Sequence, residues 1–353
     1  MQRSALLGVA AALGLSAAPA AAQVKLTGAG ATFPNVIYQN WMLTYNQANP
    51  GVQLNYQSIG SGGGIRQFSD KTVDFGGTDA PMSDSAIAAI QGNVLHIPTV
   101  LGAVVITYNI PGVTKQLKFS PALIADIFLG KLTRWNDARI TALNPGLGIP
   151  SMDILVVHRS DGSGTSYIFT DYLSKVSPEW KDKVGKGTSV NWPVGLGGRG
   201  NEGVAATVNQ TPGAVGYVEL AYARSNRIPY GQLQNKSGNF INPTLEATTA
   251  AMAASMAAMG PNTDFRVSIT DPDAPEAYPI ASMTYLLLRK EYDDPAKAVA
   301  LVKYVWWAES DGQAKAASLG YAPLPTALRP WIADRLATIT AGGQKVWTAT
   351  AAR

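Results

Sequence analysis

"ILVVHRSDGSGTSYIFTDYL", residues 154–173, decides how this chain is read. It opens on a short apolar run rich in β-branched residues (154–159), of the kind that is buried in parallel sheets. It passes through a Gly/Ser-rich turn and then changes period. Ile168, Phe169, Tyr172 and Leu173, with Val176 beyond, share one face of a helix. Two other stretches repeat the pattern. "VQLNYQSIGSGGGIRQF" (52–68) alternates like a strand before its glycines, and "VKLTGAGATFPNVIYQNWM" (24–42) leads into a helix with Ile37, Tyr38, Trp41, Met42 and Tyr45 on one side. "TVDFGG" (72–77) is a weaker strand candidate. Strand alternating with helix predicts α/β architecture.

The chain has 353 residues, 46% of them apolar, which is more than one hydrophobic core usually serves, so two domains are expected. No repeat or low-complexity linker separates them, so strands crossing between the two are predicted. Residues 245–260 form an Ala-rich helix ending at Gly260, and residues 295–317 hold another long one. Residues 1–22 carry Arg3, the apolar run Ala5 to Leu15 and a small-residue A-x-A end. This is a secretory signal with cleavage expected before Gln23, which places the mature chain in the periplasm. Cysteine is absent, so the exported chain has neither disulfides nor a lipidated N-terminus.

The composition excludes several function classes. The formal charge of +4 is spread without a basic run, which argues against nucleic acid. With His96 and His158 as the two histidines and no cysteine, a His/Cys zinc site is excluded. Asp271, Asp273 and Glu276 crowd together, but Pro272 and Pro275 intervene and the glycine of a calcium loop is missing, so they read as an exposed loop. "GKGTS" (185–189) lacks the phosphate-loop order, and "GAGATF" (28–33) ends in phenylalanine where a dinucleotide fingerprint needs Gly or Ala.

Three strand–turn–helix units each offer backbone N–H groups and a partial positive charge at a helix N-terminus, with glycines that let a ligand approach closely. The hydroxyls of Thr32, Ser61, Ser163 and Thr165 can add donors. Any one such turn is equally a tight turn with an ordinary N-cap; three together, one carrying an arginine, favour an anion site. Arg159, at the end of an apolar strand, could grip a tetrahedral oxyanion through two N–H groups, with Asp161 orienting it. Asp79 in "FGGTDAPMSD" also follows a strand. Facing an anion it would repel unless the ligand brought a proton to share, and its other reading is a helix N-cap.

These residues resemble the periplasmic phosphate-binding proteins of ABC transporters, the PstS family. The resemblance rests on "TGAGATFP", "SIGSGGG", "VDFGGTDAPMSD", "DGSGTSYIFTDYL" and "WPVGLGGRGNEGVAATV". It continues in order through "DIFLGKLTRWND" (126–137), "PGAVGYVELAYA" (212–223) and "YPIASMTYLLL" (278–288). It implies a two-lobed periplasmic-binding-protein fold of α/β class, each lobe a mainly parallel sheet flanked by helices and the two joined by crossing strands. Residues 23–106 and 283–353 would form lobe I, and 107–282 lobe II. It also implies a non-enzymatic monomer that closes on one dehydrated phosphate and delivers it to a membrane permease, without metal or organic cofactor. Carried over by position, phosphate contacts would come from Thr32, the Phe33 backbone N–H, Ser61, Asp79, Arg159, Asp161, Ser163, Gly164 and Thr165. Gly62 stands where relatives often have a second serine, and His158 where an arginine is common, which would weaken the local positive field and introduce a pH response.

Two other readings compete. A receptor for another tetrahedral oxyanion shares every feature except the need for Asp79. A secreted serine hydrolase could use His158, Asp161 and Ser163, the three residue types of a nucleophilic triad, although no G-x-S-x-G elbow is present.

Overall fold

The computed structural model describes residues 23–260 and 264–348; the expected signal at 1–22 lies outside them. Eight strands form one continuous sheet: β1 (Val24–Gly30), β2 (Val52–Ser58), β3 (Phe75–Thr78), β4 (Leu95–Tyr108), β5 (Leu155–Arg159), β6 (Leu196–Gly198), β7 (Ala214–Glu219) and β8 (Ala281–Leu288). Their order is β2-β1-β3-β8-β4-β7-β5-β6. At one end β2, β1 and β3 are parallel, at the other β7, β5 and β6 are parallel, and the antiparallel strands β8 and β4 lie between.

β4 explains why no linker is visible in the sequence. All 14 of its residues are buried. Leu95 to Ala103 pair with β8, and Val104 to Tyr108 pair with β7, so one strand belongs to both ends of the sheet. The result is a sheet whose central strands cross between its two parallel ends, as the missing linker predicts. A bulge between Thr284 and Tyr285 leaves Thr99 as the extra residue of β4, beside Pro98, which has no N–H for the ladder.

Helices follow the parallel strands: α1 (Asn35–Ala48), α2 (Ser61–Ser69), α3 (Gly164–Val176) and α4 (Gly200–Gln210). The apolar stripes are buried as their spacing predicts, with Ile37, Tyr38, Trp41, Met42 and Tyr45 under α1 and Ile168, Phe169, Tyr172 and Leu173 under α3. Two helices are shorter than expected. The Ala-rich one, α5, runs Leu245–Ser255 and tightens into a 3₁₀ turn at Met256–Ala258. The last long one, α6, runs Pro295–Glu309 and stops because Ser310 leaves the helical region and Gly312 packs against Trp41, whose Nε1 donates to the Gly312 carbonyl at 2.7 Å. Among the described residues no helix is long and apolar enough to cross a membrane, and no cluster of acidic, His or Cys side chains is arranged to hold a metal.

Candidate anion site

The register of the sheet turns the carboxyl ends of its two parallel sets toward each other across the middle of β4, where Thr78 lies beside Tyr285, the partner of Pro98, and Glu219 pairs with Val104. Gly30 of β1 lies beside Ser58 and Gly77, and Arg159 of β5 lies beside Gly198. Ligands of open α/β sheets bind outside these strand ends. The helix N-termini that follow meet there. The Gly62 N–H donates to the Gly162 carbonyl at 2.8 Å, joining the first turn of α2 to the turn before α3. Gly60, at φ +87°, approaches so closely that a Cβ would collide with the Asp161 carboxylate. A Cβ on Gly164 would likewise run into Asp79 Oδ2 and Ser61 Oγ.

Arg159 is buried at 3% exposure and held on three sides. Nε donates to Asp161 Oδ1 at 2.8 Å, Nη2 to Asp161 Oδ2 at 2.6 Å, and Nη1 to Thr165 Oγ1 at 3.3 Å. This bidentate pairing fixes the guanidinium plane. Burial pushes the Asp161 carboxyl up, but the Arg159 bonds and the Gly200 N–H at 2.9 Å outweigh it and hold the group below the usual carboxylate range. Asp161 therefore serves Arg159, as its spacing predicts.

Asp79 is 1% exposed. Its Oδ1 accepts from Thr284 Oγ1 at 2.7 Å, and Ser61 Oγ lies 3.5 Å from Oδ2 while accepting from the Asp79 N–H at 3.1 Å. Burial is the main influence on its carboxyl, which is pushed up to about 7 despite the bonds from Thr284 and Ser61 and the charge of Arg159. The N-cap reading of Asp79 fails, because the next helix (84–89) is capped by the Ser83 hydroxyl.

The other expected residues gather around this pair. Ser163 is wholly buried and caps α3, its Oγ accepting from the Ser166 N–H at 2.9 Å. Thr165 and Thr32 face each other across Asn201, whose Nδ2 donates to Thr32 Oγ1 at 2.6 Å and to Thr165 Oγ1 at 3.0 Å. Phe33 is buried in the turn before α1, with its carbonyl accepting from Tyr321 OH at 2.7 Å, and Tyr222 OH donates to the Thr32 carbonyl at 2.6 Å. The structure thus brings together all nine residues named from the sequence. Asn201, Thr284 and the Gly200 N–H are not among those nine. The first and last lie at a fourth turn into a helix, "GGRGNEG", whose likeness to the other three is the available signal.

The triad reading is overturned. Successive residues of a strand point to opposite faces, so His158 turns away from Arg159. Its ring stacks on Trp192 with centroids 4.9 Å apart, and its Nδ1 meets the Arg159 carbonyl at 3.0 Å. Ser163 is occupied as a helix cap and Asp161 by Arg159, so base and nucleophile do not meet. The same orientation removes His158 from the field of the anion site. Asp271, Asp273 and Glu276 lie in a loop, with Asp273 and Glu276 exposed and Asp271 partly buried.

A family model for a PBP superfamily domain matches residues 16–309. The phosphate-binding protein PstS of Xylella fastidiosa (strain 9a5c) is 46% identical over 303 residues, covering 86% of this chain and 82% of its own length. The PstS protein of Pasteurella multocida is 45% identical, with 85% and 86% covered. Among solved structures, a high-affinity periplasmic phosphate-binding protein, PfluDING, bound with phosphate, aligns with a TM-score of 0.70 at 20% identity, covering 88% of this chain and 93% of that one. A phosphate-binding protein from Stenotrophomonas maltophilia aligns at 0.69 and 20% identity, with 87% and 92% covered; at these identities the likeness bears on the fold. With a superfamily match across most of its length and relatives of this identity, the chain belongs to the PBP superfamily and, within it, to the PstS family of phosphate-binding proteins.

Proposed function

We propose that this protein is a non-enzymatic receptor that captures inorganic phosphate between two lobes and hands it to the permease of an ABC transporter. The observation that carries this reading is the composition of the site: a buried arginine, hydroxyls and helix N-termini supply donors, while one buried carboxylate, Asp79, remains to accept. Such a set fits a tetrahedral anion that retains a hydrogen, as phosphate does near neutral pH and sulfate does not. Thr32, the Phe33 N–H, Ser61 and Asp79 would contact the anion from one side. Arg159, Ser163, Gly164 and Thr165 would do so from the other, with Asp161 orienting Arg159. Helix N-termini and neutral donors can offset the charge without metal or cofactor.

The lobes would be residues 23–106 with 283–353, and 107–282. The change of partner along β4 between Ala103 and Val104 supports a division of the lobes within this strand, close to residue 106. The bond from Gly62 to Gly162 and the contacts of Asn201 and Tyr222 with Thr32 would then join the lobes in a closed state. Delivery to a transporter is supported by the names of relatives of the same fold, among them an ABC-type phosphate transport receptor from Vibrio cholerae. Placement in the periplasm follows from the signal-like residues 1–22. Mass spectrometry of the exported protein tests it: a chain beginning near Gln23 is expected, and a retained N-terminus contradicts it. The function itself is tested by titrating the protein with phosphate, sulfate and arsenate in turn. Tight, saturable phosphate binding is expected, and preference for sulfate would favour the rival oxyanion reading.

A further inference from the structure

We propose that Asn201 sets the direction in which the Thr32 and Thr165 hydroxyls donate, making both of them obligate donors to the bound anion. The proposal rests on the phosphate reading above. Asn201 is fully buried near the start of α4. Its Oδ1 accepts from the Glu219 N–H at 2.9 Å, which fixes the end of the amide that donates. That end, Nδ2, donates to Thr32 Oγ1 at 2.6 Å and to Thr165 Oγ1 at 3.0 Å.

Each hydroxyl receives a second bond. The Asn201 backbone N–H donates to Thr32 Oγ1 at 3.2 Å, and Arg159 Nη1 donates to Thr165 Oγ1 at 3.3 Å. A hydroxyl has two lone pairs and one hydrogen. With both lone pairs taken, donation is the one role left to each threonine, and its hydrogen points away from Asn201 and Arg159. A hydroxyl that can rotate will donate to an oxygen or accept from an O–H equally well; one held in this way only donates. Asn201 is therefore a positioning residue. It sets the polarity of two hydroxyls before the anion arrives and leaves Asp79 as the group that reads the ligand's hydrogen.

The test is a cycle of phosphate titrations at pH 8 on the wild type, Thr32→Val, Asn201→Asp and the double variant, with melting temperatures to confirm folding. Thr32→Val should raise Kd about tenfold, the size of one hydrogen bond to a charged group. Asn201→Asp keeps the acceptor for Glu219 but replaces the donor with a second acceptor, which draws the threonine hydrogens away from the anion; Kd should rise at least about tenfold. On that background Thr32→Val should cost less than about twofold, because the hydroxyl no longer serves the ligand. A wild-type Kd for Asn201→Asp, or the same cost of Thr32→Val in both backgrounds, overturns the proposal. Should Asn201→Asp fail to fold, Asn201→Ala takes its place in the cycle, and the Thr32→Val cost should then be at least about threefold smaller than in the wild type. A wild type that binds sulfate instead would sink the phosphate reading, while the same cycle run with sulfate would still decide the role of Asn201.

Discussion

Thr284 Oγ1 donates to Asp79 Oδ1 at 2.7 Å from a position 205 residues further along the chain. Thr284 lies in β8 opposite the bulge that Thr99 makes in β4, and the Thr99 hydroxyl lies within bonding distance of Tyr38 OH at 2.9 Å and donates to the Thr284 carbonyl at 3.3 Å. One oxygen of the buried carboxylate is thereby tied back into the sheet. The other, Oδ2, faces Ser61 and the backbone of Gly164.

That arrangement predicts a pH-dependent selectivity. Burial pushes the Asp79 carboxyl up to about 7, above its ordinary value, so the group is charged at pH 8 and mostly protonated at pH 6. Charged, it repels sulfate; protonated, it can donate to a sulfate oxygen. Sulfate should therefore compete about tenfold better at pH 6 than at pH 8, with proton uptake on binding at the higher pH. Competition titrations at fixed ionic strength check this, and a flat pH profile would remove Asp79 from the anion's surroundings.

Arg159→Ala is expected to weaken phosphate binding by well over tenfold while the fold persists. Hydrogen bonds to charged groups are each worth about 1.5–3 kcal/mol, and the substitution also strands the partly buried Asp161 carboxylate next to the anion. Arg159→Lys should recover little, because one ammonium cannot hold both Asp161 oxygens and the ligand. Calorimetry on folded variants decides; an unchanged Kd would separate Arg159 from the site.

Glu309 bears on stability rather than binding. It is buried at the end of α6, and neither carboxylate oxygen has a hydrogen-bond partner. Burial raises its carboxyl well above the ordinary value, with Arg329 a weaker opposing influence. A group raised in this way adds stability that is complete below its unfolded value and lost as pH climbs through the folded one. Glu309→Met should therefore stabilise the protein by about 1–3 kcal/mol near pH 8 and by much less near pH 4. Urea unfolding at the two pH values measures the difference.

Local features of this site were legible in the sequence. Arg159, Asp161, Ser163 and Thr165 lie within seven residues, and their turn carries its own signature of glycine and hydroxyl side chains. The apolar faces of α1 and α3 follow directly from helical period. His158 could also have been placed, since strand alternation sends it opposite to Arg159. Long-range relations were not legible. Nothing near Thr284 marks it as the partner of Asp79, because the bond depends on a bulge and on a strand returning late in the chain. Asn201 sits in a Gly-rich turn whose importance appears when Thr32 and Thr165 are brought to either side of it. Residues 295–317 keep a helical pattern past Glu309, and the contact of Gly312 with Trp41, which ends the helix, is likewise tertiary.

The central claim, that Asp79 reads a hydrogen on the ligand, is tested most directly by titrating wild type and Asp79→Asn with phosphate and sulfate at pH 8. The wild type should bind phosphate and reject sulfate by at least about tenfold, because at this pH the charged form of Asp79 outweighs the protonated form by about that factor. The variant's amide can turn its NH2 toward a ligand oxygen, so it should keep measurable phosphate affinity while sulfate binding appears. If wild type binds sulfate about as well as phosphate, or if Asp79→Asn leaves the ratio unchanged, the account is contradicted.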